Sequence, residues 1–230
     1  MKMTNTKIEV NAEDLRFVTD EGMFSWVRMV PPTEPDNFGA WQYNVEVAWE
    51  PDAKNTSFKN AVAKLVESVT GKKGFPKALI QKLEDTNKDP DKNAHLQGKI
   101  FSSFKKRVNP KERNISDPEE RKKWLAYVET MQPGLYKLND KGQREAAQAG
   151  DFYSGCYGKV IGHCYYQAEY KKYCVTVDYV ILTKKGERIG GGPVDPDADP
   201  LLNATAPKAT DAVDEILGSA SDSDIEELPF

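Results

Sequence analysis

The chain has 230 residues, 39% apolar and 30% charged, proportions of a globular protein rather than a disordered or membrane-embedded one. No apolar run reaches the roughly 20 residues that a membrane-spanning helix needs, and residues 1–21 lack the apolar stretch of a signal peptide, so a cytoplasmic location with no membrane contact is expected. The formal net charge of -4 is unevenly spread: ten acids and one lysine from Asp195 onward give -9, which leaves +5 for residues 1–194.

Taken in order, residues 1–21 are polar around a short apolar island at Ile8–Val10 and read as an arm or an edge strand. Residues 23–30 alternate as a strand does, with Phe24, Trp26 and Arg28 on one face, and Pro31-Pro32 ends it. Trp41, Tyr43, Val45, Val47 and Trp49 then repeat every second residue, predicting a strand with one apolar face. Ser57 is the expected cap of a helix whose Phe58, Ala61, Val62, Leu65, Val66 and Val69 share a stripe, closed by Gly71. Residues 72–97 are loop-rich, with one helical turn expected over 78–83. A third strand follows over 99–108, ending in the basic cluster Lys105-Lys106-Arg107. Asp117, Pro118, Glu119 and Glu120 are the opening of a second helix that buries Trp124, Val128 and Met131 and stops at Pro133-Gly134.

Residues 151–167 carry the clearest pattern. Cys156, Gly158, Val160, Gly162 and Cys164 are small or apolar, while Tyr157, Lys159, His163 and Tyr165 alternate with them, so one strand face is inward and the other aromatic and basic. Tyr170-Lys171-Lys172-Tyr173 is the turn into a last strand over 173–182, and Gly190-Gly191-Gly192 releases the chain. Five strands interrupted by two helices predict a mainly β fold, a small five-stranded barrel of the oligonucleotide/oligosaccharide-binding (OB) kind with two or three helices. The expected organisation is an arm over 1–21, the OB domain over 22–194 and a flexible acidic tail over 195–230.

No constellation in the sequence calls for catalysis, a cofactor or a metal. Strand alternation sets His163 on the face opposite Cys156 and Cys164, the three cysteines lack C-x-x-C spacing, and the glycine clusters lack the spacing of a phosphate loop. Cations interleaved with rings suit a single-stranded polyanion, whose bases stack and whose phosphates need counter-charge. Phe24, Trp26 and Arg28 on one strand, Lys99, Phe101, Lys105, Lys106 and Arg107 on another, and Tyr157, Lys159, His163 and Tyr165 on a third, with Lys171 and Lys172 in the turn, are the predicted nucleic-acid contacts. In the tail, Asp222, Asp224, Glu226, Glu227, Leu228, Pro229 and Phe230 join acids to an apolar tip, a pattern suited to docking on partner proteins and to competing with nucleic acid for a basic body. An RNA-binding barrel and a protein-interaction hub are the alternatives.

Phe152-Tyr153-Ser154-Gly155-Cys156-Tyr157-Gly158-Lys159 together with Gly186-Glu187-Arg188-Ile189-Gly190-Gly191-Gly192 resembles the paired motifs of a tailed-phage family of single-stranded DNA-binding proteins. Residues 23–32 and 41–47 also resemble its opening strands. The tail is similar to those of bacterial and phage single-stranded DNA-binding proteins, but has Glu226, Glu227 and Leu228 before Pro229 where the common bacterial ending is Asp-Asp-Ile-Pro-Phe. The resemblance implies an OB fold, sequence-tolerant binding of single-stranded DNA in the host cytoplasm, no enzymatic activity, and a role in phage DNA replication, recombination or repair with replication proteins as partners.

Overall fold

The computed structural model describes residues 12–36, 39–108 and 115–189; the acidic tail and the glycine release lie outside them. Among the described residues nine strands make one sheet: β1 (Arg16–Val18), β2 (Gly22–Arg28), β3 (Trp41–Trp49), β4 (Gln81–Lys82), β5 (Ile100–Val108), β6 (Gly134–Leu138), β7 (Arg144–Ala146), β8 (Tyr157–Gln167) and β9 (Lys172–Lys184). Their order is β4-β5-β3-β2-β8-β9-β6-β7, with β1 added on β8. The central run β5-β3-β2-β8-β9 is the strand order of an OB barrel with β2, β3, β5, β8 and β9 as its five strands. No ladder joins β5 to β9, although the two lie against each other, so the barrel is open along that seam.

The period-two apolar positions of β3 dictate the core. Tyr43, Val45 and Val47 are fully buried with Phe24, Phe104, Val160, Val177 and Val180. Glycines permit the tight curvature: a side chain at Gly162 would strike the Thr176 carbonyl and the Phe17 ring, and one at Gly158 would strike Phe24 and the Ile181 carbonyl. Helix α1 (Thr56–Thr70) lays Phe58, Ala61, Val62 and Leu65 against the core, where Phe58 meets the rings of Phe17 and Phe104 at centroid distances of 4.8 and 5.4 Å. Ser57 is not its cap. The helix opens at Asn55, in the left-handed conformation, whose side chain accepts from Asp20 N–H while Asp20 accepts from Asn55 N–H, and the Ser57 hydroxyl accepts from Val18 N–H. These bonds tie β1 and the turn after it to α1.

Helix α2 (Pro118–Thr130) begins as expected, Asp117 accepting from Glu119 and Glu120 N–H at 2.9 Å. It closes one end of the barrel, with Tyr43 Oη donating to the Val128 carbonyl at 2.7 Å and Trp124 edge-on to Trp41. Neither α1 nor α2, among the described residues, is long and apolar enough to cross a membrane.

Candidate nucleic-acid interface

The site is built on the outer face of β2, β3 and β5. Strict alternation would place Phe24 and Trp26 together. Instead β2 bulges at Ser25, so that Phe24 pairs with Val47 and Trp26 with Glu46, and the extra residue rotates the two rings onto opposite faces. Phe24 is fully buried, while Trp26 is 60% exposed. Arg28 follows on the outer face opposite Asn44, which pairs in turn with Lys105, and Gln42 pairs with Arg107. Lys105 and Arg107 are exposed and Arg28 half-buried. No ion pair among the described residues uses any of the three, which leaves their charge available to an anion.

The face continues across the open seam. Tyr165 on β8 is 42% exposed, and its phenol pKa is raised by burial first and by the neighbouring Cys174, with the charge of Arg107 opposing. Tyr165 pairs with Cys174 of β9, the strand that lies against β5. The turn from β8 to β9 adds Lys171, in the left-handed conformation, and exposed Lys172. It also adds Tyr170, 64% exposed, a ring absent from the sequence-based contact set although its position beside two lysines in a turn carried the signal.

The other end of the face is covered. Residues 72–97 cross it as a strap, pinned on Glu46, a carboxylate only 4% exposed. Lys88 Nζ lies 2.6 Å from both Glu46 oxygens, Ser25 Oγ donates to Oε1 at 3.0 Å and Ser103 Oγ to Oε2 at 2.9 Å. The Ser25 hydroxyl, having spent its hydrogen on Glu46, accepts from His95 Nε2 at 2.8 Å, which fixes the neutral tautomer. Burial lowers the His95 pKa, with Glu46 opposing and Lys88 reinforcing. Under the strap Phe101 packs with Ala48, Leu83 and Leu96, and Lys88 sits 4.6 Å above its ring.

The predicted contacts thus divide. Trp26, Arg28, Lys105, Arg107 and Tyr165 are brought together, with Lys171 and Lys172 in the turn beside them. Four are corrected. Phe24 is in the core through the bulge. Phe101 is 1% exposed under the strap. Lys99 is paired with Glu50. Lys106 stands in register with inward-facing Tyr43, on the face opposite Lys105 and Arg107. Tyr157, Lys159 and His163 do share the outer face of β8, but farther round the sheet, and His163 Nδ1 is held by Asp178 at 2.9 Å. The tail residues Asp222, Asp224, Glu226, Glu227, Leu228, Pro229 and Phe230 lie outside the described residues. The buried thiols of Cys156 and Cys164 are pushed up to about 11 by burial, so both stay protonated and poorly nucleophilic at neutral pH.

The described parts of the two glycine-rich motifs, residues 152–159 and 186–189, meet in space. Ile189 N–H donates to the Ser154 carbonyl at 2.8 Å, Tyr153 Oη donates to the Gly186 carbonyl at 2.9 Å, and Arg188 stacks 4.5 Å over the Tyr153 ring. Gly155 has φ +107°, and any side chain there would overlap the Glu187 carbonyl, so the spacing of the motifs reflects one packed unit beside β2.

No protein-family model matches the sequence, and no curated protein does. Among solved structures the chain is similar to the single-stranded DNA-binding protein from bacteriophage Enc34, at 12% identity and a TM-score of 0.50 over 81% of this chain and 90% of that one. It is similar to the same phage protein in complex with single-stranded DNA, at 9% identity and a TM-score of 0.50 over 82% of this chain and 100% of that one. At these identities the likeness is one of fold: this chain has the OB-type fold of the Enc34 protein.

Proposed function

We propose that the protein binds single-stranded DNA along the outer face of β2, β3 and β5, coating and protecting it without sequence preference during phage DNA replication, recombination or repair. The observation that carries this reading is Trp26, a large ring 60% exposed on the outer face that also carries Arg28, Lys105 and Arg107, none of them ion-paired among the described residues. An exposed indole on a face with unpaired cations offers a surface on which a flat ring stacks. Bases supply such rings, and the cations of that face take the phosphates, each independent of base identity. The β3 and β5 faces and the turns flanking them are where OB barrels receive oligonucleotides. DNA is favoured over RNA because the protein of shared fold is, by its name, a single-stranded DNA-binding protein.

In this reading residues 22–194 are the binding domain, and the segment 195–230 recruits replication proteins through its acids and Phe230 while competing with DNA for the basic face. Anisotropy titrations of labelled mixed-sequence DNA, RNA and duplex DNA of equal length test the proposal. Single-stranded DNA should bind more tightly than duplex by at least about tenfold, and equally well whatever its sequence. Equal binding of duplex, or RNA binding tighter than DNA, would overturn it. Deleting residues 222–230 should tighten DNA binding most at low salt, since a tethered polyanion has an effective concentration on the order of mM.

A further inference from the structure

The sheet continues beyond the OB strands, and its far half carries a second row of rings and cations on the same outer side. Register places Tyr157, Lys159 and Ile161 of β8 beside Lys184, Ile181 and Tyr179 of β9. Tyr179 and Ile181 adjoin Gly134 and Tyr136 of β6, and Tyr136 and Leu138 adjoin Ala146 and Arg144 of β7. The rings are already arranged as ring–cation and ring–ring contacts. Arg144 lies 4.7 Å over Tyr136, Lys184 lies 5.5 Å from the centre of Tyr157, and the Tyr136 and Tyr179 centroids are 6.0 Å apart. A side chain at Gly134 would meet the Tyr179 ring at 2.5 Å, so the glycine is what allows that ring its position. Tyr179 stays 38% exposed. Among the described residues of these strands, the carboxylate on this face is Asp178, engaged by His163, while Lys159, Lys184 and Arg144 are free of ion pairs. This half-sheet meets the first site along β8, whose outer face runs from Tyr165 to Tyr157, while on β2 the residue paired with Tyr157 is Met23, packed against the cluster under the strap.

We infer that the outer face of β8, β9, β6 and β7 is a second single-stranded DNA track, entered at Tyr157 and ending at Tyr136 and Arg144, so that a strand held at Trp26 wraps on around the sheet. The inference rests on the single-stranded DNA-binding reading of the first face and extends its footprint. The occupant is a polyanion with stackable faces, since the surface offers cations spaced by rings and a single carboxylate, that of Asp178, already engaged by His163. An acidic peptide would satisfy the cations and leave the tyrosines idle.

The test compares full-length protein on labelled oligonucleotides of about 10 and about 30 nucleotides, DNA in excess so that one protein occupies each strand, since a single OB barrel covers roughly 4–16 nucleotides. The parent should bind the longer strand more tightly than end effects allow. Arg144→Glu, which alters an exposed side chain, and the double change Tyr136→Ala with Tyr179→Ala should each weaken the long-strand complex by at least about tenfold and leave the short-strand complex within about twofold. Tyr136→Phe keeps the ring and should keep the affinity even if the double variant misfolds. Variants that bind both lengths like the parent, or lose both equally, would overturn the second track. A parent that binds neither length would instead bring down the first reading, whereas Trp26→Ala weakening both lengths supports it.

Discussion

Replacing Trp26 by alanine separates binding from stability. The ring is 60% exposed, so of the roughly 200 Å² an indole side chain offers, about 80 Å² is covered. At about 25 cal/mol per Å² that is worth at most about 2 kcal/mol, and less against a compact unfolded chain. The stacked base, by contrast, is worth about 1–3 kcal/mol, which at roughly 1.4 kcal/mol per decade weakens binding between about 5-fold and 150-fold. Intrinsic fluorescence reads the event directly, because Trp41 and Trp49 are 5% and 2% exposed and Trp124 is half-buried against Trp41. Titrating the parent with unlabelled single-stranded DNA should quench the indole signal. Trp26→Phe should lose most of the quench yet retain most of the affinity, because the phenyl ring still stacks. Undiminished affinity in Trp26→Ala, or an unchanged quench in Trp26→Phe, would refute the reasoning.

Phe101→Ala should cost about 3–5 kcal/mol in denaturant unfolding, as expected for a core ring, while folded protein binds DNA like the parent; a stable variant with weak binding would put the ring back on the interface. Gly155→Ala should destabilise the fold by at least about 2 kcal/mol, since it strains φ and drives a methyl into the Glu187 carbonyl; a variant melting at the parent temperature would show that the two motifs are not a packed unit. His95 is neutral in the folded protein, its pKa held below the ordinary 6.5 chiefly by burial, so the unfolded chain takes up the proton first. Stability is complete above about pH 6.5 and falls as pH drops through that value, levelling once the folded-state pKa is passed. His95→Gln should flatten that part of the pH–stability curve, and an identical curve in the variant would contradict the assignment.

How far the sequence disclosed this arrangement depended on how local the cause was. The cap at Asp117 and the inward face of Trp41, Tyr43 and Val45 follow from neighbouring residues, and both stand in the structure. The same alternation rule failed at Phe24, because a bulge is fixed by pairing with β3 and by the Ser25 bonds to Glu46 and His95, which come from distant parts of the chain. Phe101 misled for a related reason. Its strand position does point outward, and only the strap, pinned through Lys88 and Glu46 across 42 residues of sequence, covers it. The hairpin of β6 and β7 had no legible period because β7 spans three exposed residues and β6 is held by parallel pairing with β9. The paired glycine motifs were visible as a pattern, but their reason, a carbonyl packed against a residue that has no side chain, is a contact and not a spacing.

Ultraviolet crosslinking of the protein to a mixed-sequence single-stranded oligonucleotide, followed by identification of the crosslinked residues by mass spectrometry, tests the central claim at the level of individual side chains. Adducts are expected at Trp26 and Tyr165, with Tyr170 in the adjoining turn, and none at Phe24 or Phe101. Crosslinks concentrated on Trp124 and Tyr127 of α2, with Trp26 unmodified, would contradict it.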